Sequence, residues 1–115
     1  MRILGLLAVS TFFAASCAGG AEIPSIPADA LDPALVSSGR DVAVLRCSQC
    51  HALDGISHSP NPSAPPMAKL LERYDADMLA SDLIEGIRVG HDEMPEFDLQ
   101  VLEADALVAY LRSLR

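Results

Sequence analysis

The stretch Cys47-Ser48-Gln49-Cys50-His51 decides how this chain is read. On a helical turn, residues at i, i+3 and i+4 share one face. Two thiols and an imidazole can therefore reach one flat ligand together. Cys-x-x-Cys-His is the attachment signature of a c-type haem. The thiols of Cys47 and Cys50 add to the two vinyl groups as thioethers, and His51 ligates the iron through one ring nitrogen. Two other uses of paired cysteines fit less well. A redox Cys-x-x-Cys wants a βαβ setting, and a zinc site wants two further Cys or His ligands at suitable spacing. Beyond His51 the sequence offers only His58 and His91, and no second cysteine pair.

At 115 residues the chain holds at most one domain. Its start reads as a secretory signal: Arg2 is the positive region, Ile3 to Ala15 is an apolar run, and small residues follow to Ala21. The run is too short and wrongly flanked for a stable membrane span. The expected organisation is a signal over 1–21, a Pro-containing linker over 22–32 and one domain over 33–115. Ser16-Cys17-Ala18 and Gly19-Gly20-Ala21 both satisfy the small-x-small cleavage rule. Ala14-Ala15-Ser16-Cys17 also resembles a bacterial lipobox, with Ala14 where leucine is preferred. Cys17 either leaves with the signal or stays as a lipid anchor on a membrane surface. Both fates account for the odd cysteine, and no disulfide is expected in spite of the oxidising compartment. The expected location is the periplasm.

Aromatic residues after the signal are Tyr74, Phe97 and Tyr110, and there is no tryptophan. A chain so short of large apolar groups gains from a prosthetic group at the centre of its core. The formal charge is −8, and one unit more negative once Arg2 leaves. That balance argues against nucleic acid. It suits steering towards a basic patch on a redox protein partner, as well as plain solubility.

Asp32-Pro33 reads as an N-cap followed by proline at the first helical position. A helix is expected over 33–46, with Leu35, Val42 and Leu45 on its inner stripe and Val36, Gly39 and Ala43 alongside. The Pro- and Ser-rich segment from Asp54 to Pro66 is a loop. A short helix is expected over 66–74. Another runs from an Asp75 or Asp77 cap to about Val89, with Leu79, Leu83 and Ile87 inward and Gly90 as its C-terminal cap. The last helix is expected over 99–114, with Leu107, Tyr110, Leu111 and Leu114 inward and Leu102 a turn earlier. No strand pattern or repeat is visible. The class is all-α, with three to four helices wrapped around one covalently attached haem.

Histidine below the iron leaves its sixth position to be filled from Met67, Met78, Met94, His58 or His91. Met78 reads as surface or core filler, Met67 as packing against the ring, and His58 as part of a loop passing the His51 side. Met94 sits between two helices, where Pro95 restricts it to extended geometry and stiffens the loop. His91 is its rival.

These pieces resemble a class I (mitochondrial-type) cytochrome c of the small bacterial kind. The matching segments are Gly39, Cys47-Ser48-Gln49-Cys50-His51-Ala52-Leu53, Ala64-Pro65-Pro66-Met67, Met94-Pro95-Glu96-Phe97 and Leu107-Val108-Ala109-Tyr110-Leu111. The resemblance implies that Met94 is the distal ligand. It implies that the Pro65 carbonyl accepts a hydrogen bond from the second nitrogen of His51, fixing its tautomer. It also places Gly39 and Tyr110 where the first helix crosses the last. The chain departs from the family at Ala43, where an aromatic is common, and in lacking the tryptophan that contacts a haem propionate in some members. Arg88 and Tyr74 are the candidates for that contact. The implied function is single-electron transfer between periplasmic or membrane redox partners, with no catalytic acid/base set. Two alternatives are a small haem subunit of a dehydrogenase or oxidase, and a haem sensor or peroxidase-like protein with a labile sixth ligand.

Overall fold

The computed structural model describes residues 31–115. The expected signal over 1–21, with Cys17, and nearly all of the expected linker over 22–32 lie outside the described residues. Three α-helices form the frame: α1 (Pro33–Arg46), α2 (Ala76–Ile84) and α3 (Val101–Ser113). A 3-10 helix, Met67–Glu72, precedes α2. No strand occurs among the described residues, and the architecture is all-α.

The helix ends follow local chemistry. The Asp32 carboxylate accepts the Ala34 N–H at 2.9 Å, and Pro33 begins α1 where its missing N–H costs nothing. Asp75 caps α2 by accepting from the N–H groups of Asp77 and Met78 at 3.0 and 3.1 Å. The N–H of Gln100 bonds the Glu103 carboxylate at 3.0 Å at the start of α3.

The frame is held by α1 crossing α3. At Gly39 a Cβ would fall on the Ala106 carbonyl and 2.8 Å from the Tyr110 Cβ, so only glycine lets the two backbones approach this closely. Ala43, one turn on, is completely buried. The small residue there brings the helices together rather than thinning the contact. α3 is the central element: Ala104 and every residue from Ala106 to Leu111 are buried. Leu79 and Leu83 of α2 and Met67 and Leu71 of the 3-10 helix close the core around it.

Four expectations change. On α1 the buried residues are Gly39 and Ala43, while Leu45 is 80% exposed and Leu35 also faces outward. Close backbone approach selects the face with the smallest side chains, not the face with the largest. Leu102 is 77% exposed for a related reason: it precedes the crossing. α2 stops at Ile84 instead of reaching Val89. Gly86 adopts φ +72° and the Ile87 N–H reaches back to the Asp82 carbonyl at 2.8 Å, which is a Schellman ending. Ile87 is consequently exposed, and Gly90, at φ +78°, belongs to the following loop. The segment after Pro66 is a 3-10 helix that ends at Glu72, short of Tyr74.

Candidate haem site

α1 ends at the cysteine motif. The Cys47 N–H caps the helix on the Ala43 carbonyl, and the N–H groups of Cys50 and His51 both return to the Cys47 carbonyl, at 3.1 and 2.9 Å. This turn brings both thiols and the imidazole to the wall of one cleft. The cleft measures about 870 Å³ including its open mouth. Leu70, Leu79, Leu83, Leu99, Leu107 and Leu111 make its walls largely apolar.

His51 is only 7% exposed. Its Nδ1 lies 2.6 Å from the Pro65 carbonyl oxygen. A carbonyl only accepts, so Nδ1 carries the proton and donates. Nε2 is left as the nitrogen with a lone pair, which is the state a metal ligand requires. The loop holding Pro65 is tied back beneath the motif. The Met67 N–H bonds the Ala52 carbonyl at 2.9 Å, the Asn61 N–H bonds the Cys50 carbonyl at 3.2 Å, and the Ala52 N–H bonds the Ser59 hydroxyl at 3.0 Å. Tyr110 of α3 donates its hydroxyl to the Leu53 carbonyl, and burial holds that phenol above its ordinary pKa. Asp54 accepts from the backbone and hydroxyl of Ser57 and from the Ile56 N–H. These bonds hold its carboxyl below the usual carboxylate range.

Burial pushes the Cys47 thiol up to about 11, against a smaller opposing effect of Arg46. A thiol kept protonated at neutral pH is unlike the low-pKa cysteine of a redox Cys-x-x-Cys. Among the described residues no group of three or more His, Cys, Asp or Glu side chains is placed to hold a metal ion.

The sixth-ligand candidates separate by position. Met94 and Pro95 line the cleft, with Met94 half-buried. Met67 is only 2% exposed and lines the wall near Pro65. His91 borders the cleft, but its side chain is 61% exposed and its Nδ1 accepts the Glu93 N–H at 3.2 Å within its own loop. His58 and Met78 are exposed and do not line the cleft. Of the two propionate candidates, Tyr74 lines the cleft. Arg88 does not: it pairs with Glu96 at 3.1 Å and bonds the Asp92 carbonyl at 3.3 Å. Three contributions escaped the sequence reading. Arg46 borders the cleft, Asn61 reaches Glu93 across its mouth at 3.5 Å, and Tyr110 holds Leu53. Only the last had a signal, in the pairing of Tyr110 with the crossing.

The residues present suit a large flat group. Two thiols, an imidazole whose Nδ1 proton is committed to Pro65 and an apolar slot complement an apolar ring with reactive vinyl edges and a central iron. No curated protein and no solved structure matches the chain. The family model for Cytochrome c matches residues 36–115, which include all but the first turn of α1, the other helices and the whole cleft. With most of its length matched, the chain belongs to the cytochrome c family, a family of haem-binding electron carriers.

Proposed function

We propose that this chain is an exported monohaem cytochrome c that moves single electrons between protein partners, its iron held by His51 and Met94. The hydrogen bond from His51 Nδ1 to the Pro65 carbonyl, 2.6 Å, carries the reading. It leaves Nε2 as the ligating atom and raises its basicity through a partner outside the coordination sphere. Cys47 and Cys50 supply the thioethers. When bound, haem c supplies a one-electron couple. The thioether of Met94 is a soft donor that favours Fe(II), and the leucine walls disfavour net charge, so both support a raised potential. Pro95 limits the conformations open to the Met94 loop, which holds the sulfur in place at small entropic cost.

The signal reading of residues 1–21 supports a periplasmic location, on a membrane surface if Cys17 is lipidated. The acidic balance of the chain supports a partner with a basic docking patch, reached by salt-sensitive steering.

Visible spectra of the purified holoprotein test the site. Oxidised protein should show the weak Met–Fe(III) charge-transfer band, and reduced protein should exclude carbon monoxide. Rapid carbon monoxide binding with no such band would discard Met94 and the carrier reading with it.

A further inference from the structure

Two loops face each other across the mouth of the cleft, and one side chain joins them. Asn61, on the His51 side, reaches the Glu93 carboxylate of the facing loop with its Nδ2 at 3.5 Å. Among the described residues no other hydrogen bond or ion pair links the loop over 54–66 to the strap over 86–99. Asn61 is itself fixed from three directions. Its N–H bonds the Cys50 carbonyl at 3.2 Å, its carbonyl accepts the Ala64 N–H at 3.0 Å, and its Oδ1 accepts the Ser63 N–H at 2.9 Å. The last bond decides which way the amide faces. An N–H needs an acceptor, so the oxygen is turned to Ser63 and the amide nitrogen is left to Glu93. The opposite side is a fixed turn as well. The Met94 N–H bonds the His91 carbonyl at 2.8 Å, and the Glu93 N–H bonds His91 Nδ1 at 3.2 Å. Glu93 and Met94 therefore move as one unit, and a hold on the carboxylate is a hold on the methionine beside it. Both Asn61 and Glu93 line the cleft.

We propose that Asn61 is a positioning residue for Met94: by clasping Glu93 it closes the strap over the cleft and sets how often the sixth position of the iron is open. The assignment rests on the haem and Met94 reading of the cleft. It runs through this chain's own contacts, from the Cys50 carbonyl to Asn61, from Asn61 to Glu93, and so to Met94.

The test adds imidazole to oxidised holoprotein at neutral pH and follows the Met–Fe(III) band. Imidazole replaces Met94 only when the strap is open, so its apparent affinity scales with the open fraction. Asn61→Asp keeps the acceptor for Ser63 and turns an oxygen towards Glu93. It should raise the imidazole affinity roughly two- to fivefold, the range of a solvent-exposed contact. Glu93→Ala leaves the Asn61 loop untouched and should do the same. Asn61→Asp combined with Glu93→Gln reverses donor and acceptor, and should restore the wild-type affinity. Hydrogen exchange at the Met94 amide should quicken in each single variant and slow again in the pair. Unchanged affinity in both single variants, or a pair as loose as the singles, would overturn the clasp while leaving the iron ligands as assigned. Wild-type holoprotein without the Met–Fe(III) band would sink the Met94 reading and the clasp with it.

Discussion

The two loops facing each other across the cleft are built to different standards. The segment from Cys47 to Met67 is stitched from beneath. His51 and Met67 are buried, and backbone bonds link Cys50 to Asn61 and Ala52 to Met67, with Tyr110 joining from α3. The segment from Gly86 to Leu99 is secured mainly at its surface. Its side-chain ties are Arg88 to Glu96, His91 to the Glu93 N–H and Asn61 to Glu93, all exposed, while backbone bonds fix only its two ends to α2, Ile87 to Asp82 and Leu99 to Leu83. Exposed ion pairs contribute roughly 0–1 kcal/mol each, and salt screens them. The difference teaches that one wall of the cleft is held by the fold and the other by a strap. The Met94 side is where local opening should begin.

The comparison can be broken most severely from the cysteine side. Cys47→Ala with Cys50→Ala should abolish covalent haem and cooperative folding, since the core loses its centre. Denaturing-gel haem staining and circular dichroism would show it, and a well-folded apoprotein would contradict the picture. Met94→Ala should be milder in structure and large in chemistry. Haem stays attached, the reduction potential falls and carbon monoxide gains access. An unchanged spectrum would move the ligand to His91 or Met67. Tyr110→Phe removes one buried tie beneath His51 and should cost about 1 kcal/mol in denaturant unfolding. A neutral result would mean that the tie to Leu53 adds nothing. Arg88→Gln should cost about 0.5 kcal/mol or less, with the difference vanishing in high salt. A larger, salt-independent loss would show that the strap is better anchored than its exposure implies.

The unequal construction also explains what could be read from the sequence. The cysteine motif, the Asp32-Pro33 start, the Asp75 cap and the inward Leu79 and Leu83 depend on residues close together in the chain, and their types declare their roles. The Pro65 contact came from resemblance, because a backbone carbonyl has no side-chain signature. Leu45, Leu102 and Ile87 were assigned inward on size and spacing, and the structure exposes all three. Their fate is set by distant partners. Gly39 fixes which face of α1 meets Ala106, and Gly86 ends α2 before Ile87 can turn inward. Tyr74 lines the cleft and Arg88 does not, a difference that only the folded loop carrying Arg88 and Glu96 reveals.

The crossing at Gly39 has a consequence for the order of assembly. It joins the first helix of the described fold to the last, so α1 lacks its principal partner until Val101–Ser113 exists. A chain emerging N-terminus first must close a loop spanning nearly the whole domain before α1 is buried, and that closure is slow compared with local helix formation. Through that interval Cys47 and Cys50 stay on an open, unfinished chain. The fold thus leaves its two thiols accessible until its final residues arrive, when Cys47 becomes buried and Cys50 half-buried.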